Sequence, residues 1–163
     1  MALSQIPSFA NPIIRNAQEA RQLKVIAKWL ELRGYEQIKS NTVEFDKMTA
    51  GTFGFRMNVP VKLGGDVSIK IPIDVVVMPQ SATQGDYPIF FEAKSAGDFT
   101  NVNKRRKEEA VKMAQLRKTY GSKVSYNLFL CGYFDSGYLG YEAAEGIDWV
   151  WEHRLDDLSQ FGL

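Results

Sequence analysis

A mixed α/β fold is predicted for this 163-residue chain by three observations. One segment carries apolar residues at helical spacing and a second reads as a long helix stopped by a glycine, three apolar runs of strand character lie between them, and a fourth follows the second helix. The order helix, three strands, helix, strand (αβββαβ) implies a central mixed sheet with helices packed on it. At roughly 100 to 200 residues per domain the chain makes one domain, long enough to bury a core. Its 45% hydrophobic and 24% charged composition, with 10 Phe, 7 Tyr and 3 Trp, excludes a disordered protein. The net charge of +1 excludes a globally basic protein, so any polyanion contact must come from local clustering. A single cysteine, Cys131, forms no internal disulfide, and with a single histidine, His153, it makes no structural zinc site. No run approaches the ~18 apolar residues of a membrane helix, and no basic start precedes an apolar stretch, so a soluble, cytoplasmic protein without membrane contact is expected.

Residues 1–15 mix Ser, Pro, Asn and apolar side chains without a period and read as an N-terminal arm; the domain is expected over residues 16–163. Asn16 suits an N-cap, and Leu23, Ile26, Ala27 and Leu30 mark one helix face that ends at Gly34. Extended by four toward the N-terminus, that stripe lands on Glu19, an acid on the inward side of the first turn. Thr52 to Lys62 and Val67 to Val77, joined through Leu63-Gly64-Gly65-Asp66, predict a hairpin. Ile89 to Lys94 forms a third strand, 102–120 a helix stopped by Gly121, and Val124 to Cys131 a fourth strand. The tail from Gly132, rich in Tyr, Trp and acids, has no unambiguous period.

Two strands carry charges where apolar residues belong. Asp74 interrupts Ile71-Pro72-Ile73-Asp74-Val75-Val76-Val77, and Glu92-Ala93-Lys94 closes Pro88-Ile89-Phe90-Phe91. Alternation sends Glu92 and Lys94 to one face and Ala93 to the other. Acids in interior strands need a partner, and a divalent cation bound through oxygen supplies one. Asp74 and Glu92, with the Ala93 carbonyl as a third donor, suit Mg²⁺, for which Mn²⁺ can substitute. A Lys94 ammonium beside that face would orient an attacking water and offset charge on a phosphate. Glu19 either reaches the same centre or complements the helix dipole; the sequence leaves both readings open.

Lys104-Arg105-Arg106-Lys107 opens the second helix, with Lys112, Arg117 and Lys118 farther along and Asn101 and Asn103 in or just before it. Cations at a helix start oppose its dipole, which favours a phosphate partner over an ion-paired face with Glu108 and Glu109. His153, among Trp149 and Trp151, reads as structural, Cys131 as inert, and Tyr133, Tyr138 and Tyr141 as packing residues or base contacts.

Asp74, 17 intervening residues, then Glu92-Ala93-Lys94 resembles the PD-(D/E)xK nuclease superfamily. The stretch from Glu92 to Asn101, the run Asn103 to Glu109 and the tail from Gly132-Tyr133-Phe134 to Trp151-Glu152-His153-Arg154 look like the XamI-type type II restriction endonucleases. The resemblance implies a restriction-endonuclease-like core, Mg²⁺-dependent hydrolysis of double-stranded DNA, and a homodimer that cuts both strands. By that likeness Asp74 and Glu92 are metal ligands, Lys94 is the catalytic lysine, and Glu19 matches a first-helix acid of many members. A repair, recombination or junction-resolving nuclease of the superfamily is the alternative. A DNA-binding module that does not cut, or a structural domain with a buried ion pair, has less use for all three charged residues.

Overall fold

The computed structural model describes residues 10–39, 41–95 and 102–163. Helix α1 (Ala10–Glu31) begins ahead of Asn16, so residues 10–15 are helical rather than an arm. Periodicity reports packing, and this turn packs on little: Ile13 and Ile14 are 66% and 47% exposed. Pro12 is tolerated there because a first-turn N–H has no intrahelical acceptor to lose. Farther along, Leu23, Ile26 and Leu30 are buried. Gly34, at φ +88°, then takes the left-handed conformation that ends the helix.

Strands β1 (Glu36–Gln37), β2 (Thr52–Gly64), β3 (Val67–Met78), β4 (Ile89–Ser95), β5 (Ser125–Cys131) and β6 (Asp148–Trp151) form one sheet in sequence order. The β2–β3 hairpin and the β3–β4 pair are antiparallel, whereas β1–β2, β4–β5 and β5–β6 are parallel. A parallel pair needs a long crossover, and helices α2 (Val102–Tyr120) and α3 (Ser136–Ala144) supply the two that join β4, β5 and β6. The ambiguous tail thus holds a helix, an edge strand and a closing 3-10 segment, Glu152–Phe161. Asp135 caps α3 by accepting from the Tyr138 N–H at 2.7 Å. No helix among the described residues is long and apolar enough to cross a membrane.

Helix α1 and the closing segment cover one sheet face, over Phe53, Val75, Val77, Phe91, Ala93, Phe129 and Val150. Helices α2 and α3 cover the other, over Met57, Val59, Val61, Ile71, Ile73, Phe90, Leu128 and Leu130. Simple alternation would put Phe53, Phe55 and Met57 on one side. Instead Phe53 and Phe55 pack with α1 and Met57 packs with α2. The inversion falls at Arg56, whose backbone is left-handed at φ +52°. Gly54 records the same break, since a Cβ there would sit 2.6 Å from the Met57 sulfur. In β3 the change comes between Ile73 and Val75, which pair with Met57 and Phe55. Asp74, opposite Arg56, therefore lies where the hairpin turns over.

Candidate active site

Paired register between β3 and β4 runs from Val77↔Ile89 to Val75↔Phe91. Beyond that pair a side chain takes over: the Ala93 N–H donates to Asp74 Oδ2 at 2.9 Å. In an extended strand the N–H and C=O of one residue point to the same edge, which turns the Ala93 carbonyl toward Asp74 as well. Phe90, Glu92 and Lys94 face α2, while Phe91 and Ala93 face α1. Glu92 and Lys94 thus share the α2 side of the sheet, and Asp74 joins Glu92 from β3 through their mutual hydrogen bond.

Glu92 is 2% exposed. Its Oε1 accepts from Lys112 Nζ at 2.5 Å, and the same ammonium reaches the Pro72 carbonyl at 3.2 Å. Burial pushes Asp74 up to about 8, and the charge of Glu92, their mutual hydrogen bond and the charge of Glu19 add to it against the Ala93 N–H. Burial also pushes Glu92 up, but the hydrogen bond from Asp74 and the cations of Lys112 and Lys94 outweigh it and hold the group below its ordinary range. At neutral pH the two acids accordingly share one proton, with the negative charge on Glu92. Two carboxylates crowded this closely favour replacement of that proton by a cation.

Lys94 Nζ lies 3.7 Å from Glu109 Oε1, too long for a firm hydrogen bond. Glu109, 1% exposed, accepts from the Tyr138 hydroxyl at 2.8 Å. Glu19 is at the edge of the site: Arg56 Nε holds its Oε1 at 3.2 Å, while its charge still bears on Asp74. Both readings of Glu19 left one feature out, its ion pair with the residue that breaks β2.

Among the described residues no group of three or more His, Cys, Asp and Glu side chains is placed to hold a metal. Two carboxylates and a backbone carbonyl are hard oxygen donors, and Mg²⁺ is commonly held by one or two carboxylates with water completing its shell. The donor set fits such an ion.

The basic run divides. Asn101 lies outside the described residues, and Asn103, Lys104 and Arg105 are described only by their helical backbone. Lys107 is exposed. Arg106 departs from the expected open patch, because its guanidinium stacks 3.9 Å from the Tyr141 ring centroid and its Nε is buried. Of the cations farther along α2, Lys112 leaves that patch, whereas Arg117 and Lys118 stay exposed. Lys112 turns inward to Glu92, Arg117 lies against the backbone of Gly146, and Lys118 reaches the Leu63 carbonyl at 3.4 Å. Outside the site, His153 is exposed beside Trp151 rather than in the core. Tyr133 is 71% exposed, whereas Tyr138 is buried.

Sequence reasoning missed Glu109 and Lys112 as inward residues, yet a signal existed. Met113 and Leu116 are the apolar stripe of α2, and four residues back from each lie Glu109 and Lys112. Tyr138 and Glu142 could not be placed without the α3 boundary, and Arg56 gave no sign of its backbone conformation. For Lys112 the pairing has a measurable consequence. Lys112→Ala leaves Glu92 buried without its nearest cation, so unfolding free energy should fall by about 3 kcal/mol, the low end for a broken buried pair. Urea denaturation checks this; an unchanged midpoint would show that Lys112 is an ornament of the surface.

A profile of the XamI restriction endonuclease family matches residues 4–151. The type II restriction enzyme SalI of Streptomyces albus G is 56% identical over 156 residues, which is 95% of this chain and 49% of that enzyme. The chain thus spans about half the length of the curated relative it matches. A crystal structure of protein VC1899 from Vibrio cholerae superposes with a TM-score of 0.51 at 15% identity, covering 88% of this chain and 32% of that one; the likeness is one of fold. The six-stranded mixed sheet between helices is a restriction-endonuclease-like core. By the profile match and the 56% identity, the chain belongs to the XamI restriction endonuclease family.

Proposed function

We propose that this chain hydrolyses phosphodiester bonds of double-stranded DNA as a type II restriction endonuclease, with Mg²⁺ as cofactor and Mn²⁺ able to replace it. The observation that carries the reading is the buried Asp74–Glu92 pair, which holds a proton where a cation would relieve it, with Lys94 on the same sheet face. Family membership and the relative's description as a type II restriction enzyme support the substrate and the reaction.

When bound, a divalent ion polarises the phosphate and lowers the pKa of water. Asp74, Glu92 and the Ala93 carbonyl are the residues to hold it. Rigid strands fix the carboxylates, and the Ala93 N–H keeps Asp74 turned toward β4. Lys94, held loosely by Glu109, presents an ammonium that offsets charge growing on the phosphate oxygens and orients the attacking water. Lys112 keeps Glu92 compensated before the ion arrives. Glu19 acts at one remove, through its charge on Asp74 and its pair with Arg56.

Lys104, Arg105 and Lys107, with Asn101 and Asn103, are proposed to grip the DNA backbone at the opening of α2. Neutralising Lys104, Arg105 and Lys107 together should weaken binding and flatten its salt dependence by about 0.9 in log-log slope for each phosphate no longer neutralised. An unchanged slope in a fluorescence titration would return the run to the role of a solvated face. One such site cuts one strand, so two chains in a homodimer are proposed to cut both, in the cytoplasm where the DNA lies.

Incubating supercoiled and linear DNA with the protein in Mg²⁺, and separately in chelator, tests the function. Discrete fragments in Mg²⁺ alone are expected. Intact duplex under both conditions would contradict the proposal, and cutting confined to branched DNA would favour the junction-resolving alternative.

A further inference from the structure

We infer that Glu109 and Glu142 form a buried pair sharing one proton, and that this pair is a positioning device for Lys94.

Glu109 lies on the inward stripe of α2, and Tyr138 and Glu142, four residues apart on α3, face it. All three are closed off from water, Glu142 completely, at 0% exposure. Tyr138 donates its single hydroxyl proton to Glu109. Neither oxygen of Glu142 meets a donor among the described residues. An ionised carboxylate in that position would be a buried charge without a hydrogen bond, an arrangement costing several kcal/mol. A protonated Glu142 donating to Glu109 removes the difficulty. The pair then carries one negative charge and one proton, and that single charge faces the single ammonium of Lys94.

The other charged and titratable groups around the pair agree. Glu142 faces Glu109 and Arg106 from α2 and Lys94 from β4, and Glu109 also faces Tyr126 from β5. Arg106 spends its guanidinium on the Tyr141 ring, and its buried Nε has no acceptor among the described residues, so it does not neutralise Glu142 by a direct bond through that atom. Burial pushes Glu142 up to about 9, and its hydrogen bond with Glu109 and the charge of Glu109 add to this against the pull of Arg106 and Lys94. With the proton in place, Lys94 is paired without being clamped, at 3.7 Å, and stays available to substrate. A second negative charge would draw the ammonium away from the Asp74–Glu92 edge.

The effect on cleavage rests on the nuclease reading, whereas the shared proton does not, so the test has two arms. The first follows thermal unfolding of wild type and Glu142→Gln from pH 5 to 9. A group whose folded pKa lies above its unfolded value contributes stability that is complete below the unfolded pKa and is lost as pH rises to the folded one. Wild type should therefore lose ground to Glu142→Gln across this range, with the difference in Tm widening toward pH 9. A difference independent of pH would overturn the shared proton, whether or not the protein cuts DNA. Should Glu142→Gln fold poorly, the infrared carbonyl stretch of an un-ionised carboxyl group in Asp74→Asn protein serves instead: present at pH 7 if the inference holds, absent if it does not.

The second arm compares kcat. Glu142→Gln still donates to Glu109 and preserves the carboxylate beside Lys94, whereas Glu109→Gln removes the carboxylate that meets Lys94 at 3.7 Å. Glu109→Gln should have a kcat at least about tenfold below that of Glu142→Gln, with KM for DNA changed by less than about twofold in either. Equal kcat values, in proteins that bind DNA normally, would reduce the pair to a packing feature. Failure of wild type itself to cut would instead count against the proposed function and leave the first arm standing.

Discussion

Lys94→Ala is expected to lower the rate of DNA cleavage by about 10² to 10⁴-fold, the range of a positioned acid–base group, with DNA affinity little changed. Lys94 shares a strand face with Glu92, and its ion pair to Glu109 is long. In the proposed function its ammonium serves the reacting phosphate more than stability. Removing it leaves Asp74 and Glu92 their mutual contacts and Lys112, so metal binding should persist. Arg would keep the charge but not the compact donor, and should restore little. Single-turnover rates and a gel-shift titration in Ca²⁺ separate chemistry from binding. Undiminished cutting by Lys94→Ala would remove the assigned role.

Asp74→Asn is expected to lose cleavage and gain stability. In the metal-free protein burial and the charge of Glu92 hold Asp74 protonated, with a pKa of about 8. The unfolded chain ionises near 4, so the contribution of this residue to stability is complete below about pH 4 and declines as pH rises toward 8. Asn keeps the acceptor for the Ala93 N–H and abolishes the titration. Asp74 is partly accessible to water, and after allowance for that screening the gain at pH 7.5 should be about 1 to 2 kcal/mol, a few degrees in Tm, and should vanish near pH 4. Calorimetric melts at both pH values check it. A variant less stable than wild type at pH 7.5 would mean that Asp74 is held by partners beyond Ala93 and Glu92.

The elements with tertiary packing on one face were legible in the sequence: the α2 bounds at Val102 and Tyr120, the hairpin about Gly65, and β4 and β5 all follow from apolar period and glycine stops. The first turns of α1 were not, because exposed Ile13 and Ile14 leave no stripe. Nor was the tail, where β6 is four residues long and α3 nine, too short to show a period. Asp74, Glu92 and Lys94 stood out because charge in an apolar strand is anomalous wherever the strand lies. Their supports did not, since Lys112 and Glu109 sit in a helix already full of charges, where an inward lysine or glutamate looks like any other. Arg56 illustrates the remaining limit. A left-handed arginine opposite Asp74 is a backbone fact, and nothing in Phe55-Arg56-Met57 announces it. Its position links the inversion of the hairpin to the placement of the acid, an association of strain with function often met at active sites.

The proposed function requires the two strand carboxylates, Asp74 and Glu92, to hold a divalent cation. Titration of Mn²⁺ followed by water-proton relaxation, on wild type, Asp74→Asn and Glu92→Gln, tests it without any turnover of DNA. Binding in wild type that is abolished or weakened at least about tenfold in both variants is the predicted result, a free-energy difference of about 1.4 kcal/mol or more. Equal Mn²⁺ affinity in all three proteins would contradict the account.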